Sequence, residues 1–99
     1  MQILSDFERF DWDEGNLEKN LKKHSVTTQE AEELFANEPL IARRDDHHST
    51  VNEERIQALG KTKAGRKLFI AFTLRNHKIR VISIRDMTPQ EEQAYERHS

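Results

Sequence analysis

The chain has 99 residues, no cysteine and a formal net charge of −2. This length suits one domain with a thin core, expected over residues 1–99, and leaves no room for a separate cofactor-binding domain. The missing cysteines exclude a disulfide framework, a thiolate nucleophile and a Cys-ligated zinc, and suit a reducing cytoplasm.

Charged and apolar residues each make up 34% of the chain. The charges nearly cancel, so a folded domain with a heavily charged surface is expected rather than disorder. The start, Met1 to Asp6, lacks the basic region and apolar run of a secretion signal. The longest apolar run, Leu68 to Phe72, is too short to cross a membrane, so no membrane partner is expected.

In chain order, Phe10-Asp11-Trp12 alternates as a short edge strand, with Phe10 and Trp12 assigned to the core. Asp13 to His24 reads as a helix with Leu17 and Leu21 on one face. Thr27 and Glu30 fit a capping box for a second helix that carries Ala31, Leu34 and Phe35 on one stripe. Asn37-Glu38-Pro39 ends it, because proline cannot continue a helix.

Strands are predicted over Leu40 to Arg44, Arg55 to Gly60, Lys67 to Leu74 and Lys78 to Arg85. Asp45 to Asn52 is a polar loop. Thr62 to Gly65 is a turn with Gly65 free to take positive φ, and Arg75-Asn76-His77 is a second turn. The last three strands form an antiparallel meander. Thr88 caps a final helix with Pro89 at its first position and Glu91 at its third. This order predicts an α+β fold: a short N-terminal strand, two helices, the meander sheet and a C-terminal helix. The helices are expected on one face of the sheet, leaving the other open.

The total charge hides a pattern. Residues 1–39 carry a net −6, residues 40–85 a net +7, and residues 86–99 a net −3. Such asymmetry directs the middle segment towards a polyanion or an acidic partner.

A set of residues in this order resembles a known family. Phe10-Asp11-Trp12-Asp13 leads into Lys23-His24-Ser25-Val26-Thr27. Glu30-Ala31, His48-Ser49, Glu53-Glu54-Arg55, Gly60 and Gly65-Arg66 follow. Ile79-Arg80-Val81-Ile82-Ser83-Ile84-Arg85, Glu91 and Tyr95-Glu96 close the pattern. The chain thereby resembles the BrnT toxins of bacterial type II toxin–antitoxin systems, from about Phe10 to Glu96. The resemblance implies a RelE-like fold and a cytoplasmic, metal-independent ribonuclease that cleaves RNA and arrests translation, with no cofactor. It also implies a cognate BrnA antitoxin with a ribbon-helix-helix part, a toxin–antitoxin heterotetramer, and contact with operator DNA only through the antitoxin. Ser25 departs from the glycine usual after Lys-His in that family. Glycine takes a left-handed helix cap at lower cost.

Metal-independent RNA cleavage needs a base for the 2′-hydroxyl, cations for the phosphorane and an acid for the leaving oxygen. Arg55 and Arg80 lie on strands and carry planar forks suited to phosphate. His24, at a helix C-terminus, and His48, in the polar loop, are the candidate proton carriers. Lys23, Arg44, Arg85 and Tyr95 complete the candidate RNA-binding set. Arg80 and Arg85 have opposite parity in an unbroken strand and share a site only if the strand bends or ends near Ile84. Tyr95 either stacks a base or packs on the core with its hydroxyl at the rim. Asp45-Asp46-His47-His48 is read as a solvated loop rather than a metal site, because adjacent extended residues point apart. The competing reading is a non-catalytic binding module or co-repressor partner of a DNA-binding antitoxin.

Overall fold

The computed structural model describes residues 9–11, 24–37, 39–47, 49, 53–75 and 77–98. Strands β1 (Arg9–Phe10), β2 (Ile41–Arg44), β3 (Glu54–Lys61), β4 (Lys67–Arg75) and β5 (Lys78–Asp86) form one sheet of order β1-β5-β4-β3-β2. β2 to β5 are antiparallel neighbours, and β1 runs parallel to β5. The helices are α1 (Thr28–Ala36) and α2 (Pro89–His98). The predicted helix over Asp13 to His24 falls outside the described residues except for His24, which is helical. Trp12, Lys23, His48 and Asn76 also fall outside them.

Alternation divides the sheet into two faces. Ile56 and Ala58 of β3, Leu68, Ile70 and Phe72 of β4, and Ile79, Val81 and Ile84 of β5 make the core face. α1 buries Ala31 and Leu34 against it. Phe35 joins Phe10 and Phe72 in two edge-to-face contacts, with centroids 5.2 and 5.1 Å apart. Gly60 permits this close approach. A Cβ there would lie 3.0 Å from Leu40 Cδ1 and 3.2 Å from Leu34 Cδ2.

Both capping boxes form as expected. Glu30 N donates to Thr27 Oγ1, and Thr27 N donates to Glu30 Oε1. Glu91 N donates to Thr88 Oγ1, and Thr88 N donates to Glu91 Oε1. Gly65 takes φ +90°, and in the second turn His77 takes φ +61°.

One expectation about the layers is overturned. α2 lies over the second face, not beside α1. Arg85 and Lys67, both on the second face, pair with Glu91 and Glu96 of α2 at 2.8 and 2.6 Å. The last helix therefore roofs one end of the face expected to be open. It is anchored there by Tyr95, whose hydroxyl donates to the Pro39 carbonyl at 2.7 Å.

Candidate functional site

The second face is built in rows, because antiparallel register places specific side chains side by side. Arg55 of β3 lies opposite Thr73 of β4, and Thr73 lies opposite Arg80 of β5. The next row is Gln57, Ala71 and Ser83, and the next is Leu59, Phe69 and Arg85. Thr73 and Ala71 are short and sit in a trough between longer neighbours; Thr73 is only 2% exposed.

A β-bulge makes this arrangement possible. Ala71 pairs with Ser83 but Phe72 pairs with Val81, so Ile82 is an extra residue in β5. The insertion reverses parity beyond it. Arg80 and Arg85 consequently project from the same face. They stand about 13 Å apart along the strand, from roughly 3.3 Å per residue over four β4 residues, so they address different points on a ligand.

Two polar atoms in the first row have no hydrogen-bond partner although they are buried: Arg55 Nε and Thr73 Oγ1. Buried polar groups are normally satisfied, so an unsatisfied pair on neighbouring strands calls for an explanation. Asp45 borders the row. Its Oδ2 lies 4.0 Å from Arg55 Nε and accepts a hydrogen bond from Gln57 Nε2 at 3.3 Å. The start of the 45–49 loop is tied to β3 through Ser49, whose hydroxyl accepts from Arg55 N and donates to the Asp45 carbonyl. Arg43, not singled out from sequence, is on the same face and donates to Gln57 Oε1 at 3.0 and 3.3 Å. The signal for it was the alternation of Ile41 and Arg43 against Ala42 and Arg44.

The other described candidates, His24, Arg44, Arg85 and Tyr95, are not gathered at this row. His24 sits at the opposite end of the sheet, where its carbonyl and that of Ser25 accept from Arg66 at 2.9 Å. Arg66 also pairs with Asp86, which faces Leu68 and is about 17 Å along β4 from Thr73, at roughly 3.3 Å per residue. One phosphate cannot touch both His24 and Arg80. Arg44 has the parity of Ala42, which packs on the core side, and pairs with Asp46 at 3.5 Å, away from Arg55. Tyr95 is 2% exposed and its hydroxyl donates to the Pro39 carbonyl, so its ring is packed within the fold. Burial also holds its phenol above the usual tyrosine range.

Arg85 is held by both oxygens of Glu91 and lies 4.1 Å over the Phe69 ring. The Arg85 hydrogen bonds keep the Glu91 carboxyl below its ordinary range. Among the described residues, no cluster of three or more His, Cys, Asp or Glu side chains is arranged to hold a metal ion. No described helix is long and apolar enough to cross a membrane.

An α+β protein with an arginine-flanked row on an antiparallel sheet is suited to binding anions. Comparison with known proteins specifies the class. The family model described as ribonuclease toxin, BrnT, of type II toxin–antitoxin system matches residues 12–91. The chain belongs to this family. A type II toxin has an antitoxin partner. The fold is similar to the 1.1 Å crystal structure of the Brucella abortus ribonuclease toxin BrnT, with a TM-score of 0.56 and 18% identity. That match covers 81% of this chain and 96% of the other. No curated protein matches the chain.

Proposed function

We propose that the chain is a metal-independent endoribonuclease whose scissile phosphate rests on the Arg55–Thr73–Arg80 row. The observation that carries the reading is the pair of orphaned atoms, Arg55 Nε and Thr73 Oγ1, beside a second arginine. A phosphate supplies acceptors for both and a counter-charge for the arginines. The charge that develops on the phosphorane then meets fixed cations on strands, where little reorganisation is needed. Proton transfer falls to the 45–49 loop. Asp45 already borders Arg55, and His48 is next in the chain to Ser49.

Family membership supports a wider reading. The domain, spanning 1–99, is RelE-like and acts in the cytoplasm to inhibit translation. A BrnA-type ribbon-helix-helix antitoxin neutralises it in a heterotetramer that reaches operator DNA through the antitoxin.

Induced expression tests this reading. Growth is expected to stop, and the purified protein in EDTA is expected to cut RNA to 2′,3′-cyclic phosphate ends. His48→Ala and Asp45→Asn separate the proton carriers, because loss of a histidine removes a limb near neutral pH from the rate profile. One observation favours a non-catalytic module: His24, a candidate proton carrier, lies at the other end of the sheet from Arg55 and Arg80. Tight antitoxin binding without RNA cleavage, by protein that does not arrest growth, supports that alternative.

A further inference from the structure

Between α2 and the β2–β3 side of the second face lies a cleft of about 380 Å³, within the usual range for small-ligand sites. Its apolar walls are Ile41, Leu59, Phe69 and Ala94, and its polar groups include Arg43, Gln57 and Gln90. We infer that this cleft is a nucleobase site, taking a base of the same RNA strand whose phosphate lies on the Arg55–Thr73–Arg80 row. The inference rests on the ribonuclease reading.

Continuity of the face is the first argument. Gln57 stands one row from Arg55, about 7 Å away, and Leu59 two rows away, about 13 Å, from roughly 3.3 Å per residue. A sugar and base leaving a phosphate on the first row run directly into the cleft. Its chemistry is the second. A base presents flat apolar faces and a polar edge, and is recognised by apolar or aromatic contact together with hydrogen bonds. Phe69 provides an aromatic wall backed by the Arg85 guanidinium, which Glu91 fixes in place. Gln57 is already bonded to Arg43 and Asp45, which makes it a rigid sill. Gln90 is exposed at the start of α2, and its amide offers both a donor and an acceptor to a base edge. Charge is the third argument. Arg43 adds a cation to the cleft, as a polyanion requires, and the Glu91 carboxylate that also lines it is paired with Arg85.

The test uses the whole chain and uncleavable 2′-deoxy dinucleoside monophosphates of each base, with inorganic phosphate as control. Backbone amide shifts are followed by NMR. Inorganic phosphate is expected to move Arg55, Thr73 and Arg80 alone. The dinucleotides are expected to move these together with Leu59, Phe69, Gln90 and Ala94, with one base binding most tightly. Ala94→Trp fills the cleft and is expected to weaken dinucleotide binding about tenfold, within the range for one stacked base, while phosphate binding is unchanged. If Ala94→Trp does not fold, Gln90→Glu serves, and is expected to change which base binds best.

Dinucleotide shifts confined to the first row overturn the cleft site and leave the ribonuclease reading standing. No shift in that row with either probe overturns both. Loss of antitoxin binding in the cleft variants, with dinucleotide binding unchanged, makes the cleft a protein surface and also overturns the inference.

Discussion

A buried hydroxyl without a partner costs stability, and Thr73 carries one between Arg55 and Arg80. Thr73→Val keeps the shape and removes the oxygen. If the hydroxyl serves only the fold, the variant is neutral or more stable, and RNA cleavage is unchanged. We expect a chemical melt to show equal or higher stability while cleavage falls about tenfold, the usual scale for losing a hydrogen bond to a charged group. Ser25 is a second informative residue. It holds φ +54°, in the left-handed region where a side chain costs about 1–2 kcal/mol. Arg66 offsets part of this by donating to the Ser25 and His24 carbonyls. Ser25→Gly is expected to raise unfolding free energy by about 1 kcal/mol, measured by urea titration.

The elements that sequence resolved are those with local chemistry. Thr27 and Glu30, and Thr88 and Glu91, carry their helix starts within four residues, and both boxes form where expected. The strands alternate, and Gly65 takes the positive φ expected of it, whereas in the second turn His77, not singled out from sequence, takes φ +61°. The bulge at Ile82 was not legible, because nothing in Val81-Ile82-Ser83 announces an extra residue; it emerges only from pairing with β4. The common face of Arg80 and Arg85 was therefore a conditional statement. The position of α2 escaped for a related reason. Its acidic residues look like a solvated face until Arg85 and Lys67 are found beneath them.

Glu91 joins the α2 cap to Arg85, and its folded carboxyl titrates below the ordinary value of 4.5. Between those two values the unfolded chain binds a proton that the folded chain does not. Its stabilisation is thus complete above 4.5 and is lost as pH falls through the folded value. Glu91→Gln is expected to lower stability at neutral pH by about 1 kcal/mol. Its acid melting curve should be flatter than that of the unaltered chain.

At the scale of the molecule, the net charge of −2 conceals two acidic flanks and a basic middle of +7. The fold does not simply present that middle to solvent. Glu91 and Glu96 of the acidic end neutralise Arg85 and Lys67 at the roofed end of the second face. Arg55, which Asp45 approaches at 4.0 Å, and Arg80 lie beyond that roof. The central claim is that these two arginines act on one phosphate across Thr73. It is tested most directly by RNA cleavage rates in EDTA for Arg55→Gln, Arg80→Gln and the double variant. Groups that act as one unit are strongly non-additive. Each single change should cost about a hundredfold, on the scale of removing one transition-state donor, and the double change little more than either alone. Near wild-type cleavage in either single variant, or a double loss equal to the product of the two, would contradict the shared phosphate site.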